Sequence, residues 1–463
     1  MTSKVASNVT NPVASPGALQ AACAARRARL LAQLPQGAVA VLATAPEVVR
    51  NADSEYLYRH DSDFYYLSGF TEPDSVLVLV APRGAAPARA ILFCRPKHAE
   101  REIWDGYRYG PEAACAAFGM DAAFPIDDLD AEITKLLADA PALYYALGSP
   151  LDAQVRLWRT ALRQQARSGI SAPASDVDLL PLLAELRLHK DGVELASMQR
   201  AADISAQAHV RAMRATRPGM FEYEVEAELL YEFRRNGAQA PAYNSIVASG
   251  ARACVLHYSA NNGRCLDGEL LLIDAGCEYD SYAADISRTY PVNGRFSAAQ
   301  RQLYELVLAA QSAALQAIAP GQPYSDMHQA AVRVLAQGML DLGLLQKNVH
   351  GNLDDVIANQ HYRQFYMHGT GHWLGLDVHD VGQYRDITTA DKPSRALQPG
   401  MTLTVEPGIY VRPAAGIPEC YWNTGIRIED DVLVTEHGYT ILTAGVPKTV
   451  ADIEHLMQHS QQS

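Results

Sequence analysis

The sequence predicts an α/β (α+β) protein of two domains: a small N-terminal α/β domain and a larger C-terminal domain made of one α/β unit used twice. Three observations carry that expectation. At 463 residues the chain is too long for one ordinary core. Apolar strand-like runs alternate with Ala-rich helical stretches as far as residue 185. Beyond that point the order helix, helix, strand, strand occurs twice. The boundaries expected are a disordered leader over 1–20, an N-terminal domain over 21–188 and a C-terminal domain over 189–455.

The leader rests on composition: Ser, Asn, Pro, Thr and Val without periodicity. Strands are expected at 38–42, 76–80 and 90–93, and helices at 111–118 and 131–137. The second domain opens at Asp191, whose spacing to Glu194 is that of a capping box starting a helix through Arg214. A second helix spans Glu222 to Arg235, with Val225, Leu229 and Phe233 on one face and Asn236-Gly237 as its stop. Strand-like runs follow at 270–275 and 283–292. The order then returns: a helix capped by Ser297 and Gln300, another over 325–342, and strands at 401–411 and 426–434.

Composition narrows function. Hydrophobic residues at 48% and charged residues at 20% are globular values. The longest strongly apolar run, Val76 to Ala81, is far shorter than the roughly 20 residues a membrane helix needs. Arg26, Arg27 and Arg29 come too late for a signal peptide, so a cytoplasmic protein without a membrane partner is expected. A net charge of −13 argues against binding nucleic acid. Seven scattered cysteines without a C-x-x-C pair read as reduced thiols, not a thiolate metal site.

The acids are the informative residues. Asp274 ends the apolar strand Leu272-Ile273 and Asp285 lies on the returning one; a turn centred on Tyr279-Asp280 would set them directly opposite, about 5 Å apart at Cβ. Glu406 and Glu429 repeat the arrangement in the second half. One acid at a strand end is commonly a solvated charge. Four acids embedded in apolar strands need compensation for several kcal/mol of desolvation. Arg427 alone cannot neutralise four, whereas metal dications can.

Imidazole is available nearby. Three of the 14 histidines, His368, His372 and His379, fall in the glycine-rich run from Met367 to His379. No H-E-x-x-H pattern is present, and the donor set is rich in oxygen. Four carboxylates with one imidazole suit manganese ahead of cobalt or zinc. Carboxylates can bridge, so five side chains suit two ions better than one.

With these residues in view, the chain resembles the creatinase/methionine aminopeptidase (pita-bread) superfamily, and within it the Xaa-Pro aminopeptidase, or aminopeptidase P, family (peptidase family M24B). The matching segments are 273–279, 284–289, 368–382, 404–408 and 425–430, with 58–70 in the first domain. The resemblance implies a pita-bread metallohydrolase fold for the second domain. It implies Asp274, Asp285, His372, Glu406 and Glu429 as ligands of two divalent ions. Asp285 and Glu429 bridge; His372 and Glu406 complete one shell and Asp274 the other. Methionine aminopeptidases lack a large preceding domain, and creatinase-like members lack the full metal set.

The resemblance also implies the chemistry: hydrolysis of the first peptide bond of peptides with proline in second position. Two close ions acidify water to hydroxide near neutral pH. Glu406 shuttles the proton to the departing proline nitrogen. His257 and His379 stabilise the tetrahedral intermediate and position substrate, and His368 is a further active-site histidine. Arg427 is expected to be held near the cluster by acids around the ligands. Tyr410 lines the proline pocket. Trp104 reaches from the N-terminal domain into a neighbouring subunit's site of a homo-oligomer, a tetramer or dimer. The segment Lys392-Pro393-Ser394-Arg395 departs from the family's pattern for a basic residue. Proline dipeptidase shares the fold and all five ligands, and an inactive pita-bread binding module is the non-enzymatic alternative.

Overall fold

Ser15 and Pro16 begin a helix where the end of a leader is expected. The computed structural model describes residues 15–460, so the first 14 residues of that leader lie outside it. Residues 16–20 belong to helix α1 (Pro16–Leu31). Proline at the first helical position and a Ser15 Oγ that accepts the Ala18 N–H at 3.3 Å are sound start signals. Buried Arg26 and Arg27 anchor the helix by donating to the carbonyls of Tyr66, Leu67 and Gly119.

The described residues form two compact units, one ending at Arg187 and the other starting at Leu188. In the first, six strands form one mixed sheet. They are β1 (Val39–Ala43), β2 (Val76–Val80), β3 (Arg89–Cys94), β4 (Ala122–Pro125), β5 (Ala142–Tyr145) and β6 (Ser175–Asp178), in the order β4-β3-β2-β1-β5-β6. Val39, Val41, Val78, Ile91 and Phe93 pack against Ile133 and Leu137 of helix α5 (Leu129–Leu137) and Trp158 of α6 (Leu151–Gln164). Leu77 and Leu79 on the opposite face are buried as well. A strand buried on both faces reads as an unbroken apolar run, which is why Val76 to Val80 is legible. The unit also holds α2 (Ser62–Ser68), α3 (Ala99–Asp105), α4 (Gly110–Phe118) and, at its end, α7 (Leu180–Leu188).

The second unit opens with α8 (Gly192–Ala215), started by the Asp191–Glu194 capping box, and α9 (Glu222–Arg235), ended by Asn236 and a left-handed Gly237. Then come β7 (Ile246–Ser249), β8 (Leu270–Asp274), β9 (Cys277–Tyr279), β10 (Tyr282–Ala283) and β11 (Ser287–Pro291). Next are α10 (Ala298–Gln316), capped by Ser297 and Gln300, and α11 (Ser325–Asp341). The last strands are β12 (Thr402–Val405), β13 (Gly408–Val411), β14 (Thr424–Arg427), β15 (Asp430–Thr435) and β16 (Gly438–Ile441), followed by α12 (Val450–Ser460). Each half is thus a helix pair followed by an antiparallel strand pair. A third strand joins before the pair in one half (β7-β8-β11) and after it in the other (β12-β15-β16).

Two expectations about these strands are corrected. The runs 401–411 and 426–434 are not single strands. Each breaks at its glutamate, where backbone groups leave the ladder for other partners: the Glu406 N–H donates to Thr370 and the Glu429 N–H to Ser287. The first hairpin turns on Asp280-Ser281, both with positive φ (47° and 70°), not on Tyr279-Asp280. Two left-handed residues match the twist of a two-residue hairpin. Asp274 therefore pairs with Ser287, and Asp285 lies diagonal to it on the same face. Moving the turn by one residue moves the partner by two, so strand parity keeps the acids together.

Candidate metal centre

The first acidic pair sits where the hairpin pinches. Gly276 faces Asp285 across it, and a Cβ on Gly276 would lie 1.7 Å from the Ala284 carbonyl oxygen, so no side chain fits there. The pinch takes the Asp285 N–H out of the ladder, and it donates to Asp431 Oδ2 at 3.0 Å. The Tyr243 hydroxyl lies 2.6 Å from Asp274 Oδ1 and 2.5 Å from Asp285 Oδ1, joining the two carboxylates through one oxygen.

The second pair sits in a gap between ladders of one register. Val405 pairs with Asp430 on one side and Gly408 with Arg427 on the other, so Glu406 and Glu429 face each other between them. The two halves then knit together: Ser287 Oγ donates to Glu429 Oε2 at 2.7 Å. Asp285, His372 and Glu429 each offer a ligand atom within 4.8 Å of the others. Nε2 of His372 lies 3.8 Å from Glu406 Oε1 and 3.4 Å from Asp285 Oδ2. All five sequence-selected acids and imidazoles therefore converge. Asp285 and Glu429 are the deepest, 5% and 2% exposed; the Asp274 and Glu406 side chains keep 14% and 18%.

The histidine is prepared for a cation. Nδ1 of His372 lies 2.9 Å from the Trp373 carbonyl, which can only accept, so Nδ1 keeps its proton and Nε2, facing the carboxylates, is the nitrogen that would give up its proton to a cation. The adjoining Gly371 backbone runs against β12; a Cβ there would come within 2.0 Å of the Thr404 carbonyl oxygen. Four oxygen donors and one such nitrogen fit a divalent ion of the harder kind.

The four carboxyls crowd one another's charge. Burial, with its carboxylate neighbours, raises Asp274 to about 6 and Glu406 to about 7 and pushes Glu429 well up. Burial opposes the charge on Asp285 too, but the bond from His372 reverses it and holds this carboxyl below its usual range. Burial likewise works against protonated His372, yet Asp285 and Glu406 lift it to about 9.

Arg427 is more deeply involved than expected. Its Nη2 donates to Asp274 itself at 2.7 Å, not to acids around the ligands, while Nε reaches Ser287 Oγ and Nη1 the Tyr410 hydroxyl. Tyr410, 1% exposed, contacts His368 Nε2 at 2.9 Å. His368 Nδ1 lies 2.7 Å from the Gly369 carbonyl, so Nε2 must accept and Tyr410 donates. Burial and Arg427 lower His368 to about 3, leaving it neutral. His379 stacks edge-on against His372 with ring centroids 4.2 Å apart. His257 is exposed, within electrostatic reach of both His368 and His379. Trp104, on α3 of the first unit, is 83% exposed. Arg395 donates to the Gln383 carbonyl at 3.4 Å.

Sequence reasoning missed Tyr243, Ser287 and Asp431. Each supports a ligand through a contact dozens of residues away in the chain, and no local periodicity marks them. The acid directly after Glu429-Asp430 was visible as a charge, but not as the acceptor of the Asp285 N–H.

A metallopeptidase is the class that this arrangement of fold and acidic site defines. Residues 196–436 match the model of metallopeptidase family M24, and residues 23–144 match that of the aminopeptidase P N-terminal domain. The Xaa-Pro aminopeptidase of Escherichia coli K12 is 45% identical over 434 residues, covering 93% of this chain and 96% of its own length. Human Xaa-Pro aminopeptidase 3 is 35% identical over 454 residues, with 96% and 87% covered. Among solved structures, aminopeptidase PepP of Pseudomonas aeruginosa superposes with TM-score 0.92 at 48% identity, covering 96% of this chain and 99% of that one. Zn-substituted E. coli aminopeptidase P in complex with product gives 0.91 at 44% identity, with 95% and 98% covered. The chain belongs to metallopeptidase family M24, in its aminopeptidase P branch, and is a metal-dependent exopeptidase.

Proposed function

We propose that this exopeptidase hydrolyses the N-terminal Xaa-Pro bond of peptides with two divalent ions, manganese preferred, held by Asp274, Asp285, His372, Glu406 and Glu429. The observation that carries the reading is the convergence of Asp285, His372 and Glu429 ligand atoms within 4.8 Å. Asp285 and Glu429, the two most buried, would be shared by the two ions, and Asp274 would help hold one and His372 with Glu406 the other. Bound there, the ions supply hydroxide near neutral pH and neutralise the buried acids. Glu406, whose carboxyl lies beside His368 and His372 and keeps 18% exposure, suits a group that takes a proton and passes it to the proline nitrogen.

His257 and His379 stabilise the tetrahedral intermediate and position substrate. His368, fixed as a neutral ring by Tyr410 and Arg427, presents a defined face to the peptide. Tyr410 acts through that ring and closes the base of the proline pocket. The exposed Trp104 and its neighbour Ile103, 81% exposed, fit contact with a second copy in a homo-oligomer. Seven free cysteines suit the reducing cytoplasm. Among the described residues no helix is long and apolar enough to cross a membrane.

The test restores metal-depleted enzyme with manganese, cobalt or zinc and assays an Xaa-Pro-Xaa tripeptide beside an Xaa-Pro dipeptide. Cleavage of the tripeptide at two ions per chain is expected. Dipeptide hydrolysis without tripeptide cleavage would make the protein a proline dipeptidase. Activity and metal content unchanged in Asp274→Ala would remove the site from the reaction.

A further inference from the structure

Away from the metal centre, another buried carboxylate organises a segment that the reaction uses. Glu222, the first residue of α9, is fully buried. Its Oε1 accepts from the Ser249 N–H at 2.8 Å and from Arg252 Nε at 2.7 Å. Its Oε2 accepts from the Gly263 N–H at 2.7 Å and from the Tyr258 hydroxyl at 2.8 Å. Three of the four donors, Arg252, Tyr258 and Gly263, come from the connection between β7 and β8, and the fourth, Ser249, ends β7. Tyr258 directly follows His257. The Glu222 N–H adds a bond to the Gly263 carbonyl, and Arg252 closes the ring by donating to the Arg264 carbonyl at 2.8 Å.

His257 needs such support. It is exposed, on a segment whose regular structure is one short turn over Gly250–Cys254. Leu256 and Tyr258 on either side pack on Ile246, Ala248 and Tyr410, so the chain direction at His257 is set by its neighbours. Without an anchor, ordering that segment around substrate would cost conformational entropy on every turnover.

We propose that Glu222 is a positioning residue for hydrolysis, holding the 249–263 segment so that the His257 imidazole stands beside the metal centre; this rests on the role proposed above for His257. Burial opposes the charge on Glu222, but its four donors outweigh that and hold it below the usual carboxylate range, so it is ionised at neutral pH. Glutamine at this position would keep the size but lose one acceptor oxygen, leaving a buried donor unpaired.

The test is a double-mutant cycle on the metal-loaded, full-length enzyme with an Xaa-Pro-Xaa tripeptide, reading kcat and KM separately. Glu222→Gln should lower kcat roughly tenfold, with bound metal unchanged. In a His257→Ala background the same change should cost less than about twofold, because there is no imidazole left to place. Tyr258→Phe, which removes one bond and keeps the fold, should show the same pattern at about a threefold loss. Equal losses in both backgrounds would reduce Glu222 to a general structural role and overturn the inference. Wild-type kcat in Glu222→Gln would do the same, and if that variant does not fold, Tyr258→Phe decides. A His257→Ala enzyme with full activity would instead defeat the role given to His257, and this inference with it.

Discussion

The Asp274–Asp285 pair and the Glu406–Glu429 pair place equal charge on strands of unlike geometry. In the hairpin the acids are staggered: Asp274 pairs with Ser287, and Asp285 faces a glycine. In the second half the glutamates face each other directly, and the ladder opens around them. The opening is bridged from the side. Gln311 Nε2 on α10 lies 3.4 Å from the Val405 carbonyl and 3.3 Å from that of Ile428, the residues just before each glutamate. Beneath it, Arg288 and Lys448 neutralise buried Asp430 at 2.7 and 2.6 Å. Facing like charges destabilise a sheet: the directly opposed pair has an open ladder and a brace, while the staggered pair has a glycine opposite Asp285 and the Tyr243 hydroxyl between its carboxylates.

The two pairs also carry charge differently. Both glutamates are pushed up, whereas of the aspartates only Asp274 rises. Asp285 keeps its charge because His372 faces it. The glutamate side is therefore where metal-free protein holds protons, and the aspartate side is where it holds an ion pair.

The largest effect expected breaks both sides alike. Asp285→Asn or Glu429→Gln should each lower kcat/KM on the order of 1,000-fold or more, with loss of bound metal by elemental analysis. Next, Gly276→Ala forces a methyl into the Ala284 carbonyl and should cost about 3 kcal/mol in chemical denaturation, a penalty special to the staggered pair. Gln311→Ala strips the brace from the opposed pair and leaves buried carbonyls short of a donor. A loss of about 1–3 kcal/mol is expected, and a neutral result would mean that the brace is dispensable.

A finer distinction appears without metal. There, Asp285→Asn removes the partner of His372 and should cost about 1–3 kcal/mol. Glu429→Gln changes a carboxyl that burial and its acidic neighbours already push toward the neutral form, and should cost less than Asp285→Asn does. The smallest effect concerns pH. Groups whose pKa rises on folding stabilise most below their unfolded values and lose that contribution as pH climbs through the folded ones. Asp274, Glu406 and His372, at about 6, 7 and 9, act in this direction, while His368, lowered to about 3, and His379, also lowered, act against them as pH rises to the ordinary histidine value. Above that value only the falling side remains, so the melting temperature of metal-free protein should drop by a few degrees from about pH 7 to 9. Saturating divalent ion should flatten the slope; a slope unchanged by metal would separate these groups from the site.

Much of this was readable from the chain. Helices α8 and α10 announce themselves by capping boxes, and β2 by its apolar run, because capping and periodicity are local interactions between residues a few positions apart. Four of the five ligand candidates stood out as acids in apolar strands, and the fifth lay in a histidine-rich run. Arg427 was read as lying nearby, but its bond to Asp274 joins residues far apart in sequence. The turn at Asp280-Ser281 was misplaced by one residue, since Tyr-Asp and Asp-Ser are both acceptable turn pairs and only the completed ladder selects between them.

Local sequence therefore determined the elements, the alternation that puts each acidic pair on one face, and the excess of negative charge that demands cations. Tertiary structure alone decided how those faces meet. The ladders had to break at the acids before the Asp285 and Glu429 backbone N–H groups could find Asp431 and Ser287 in the other half. A backbone donor released from its own sheet and buried must be paired elsewhere, and only the assembled fold contains the partner.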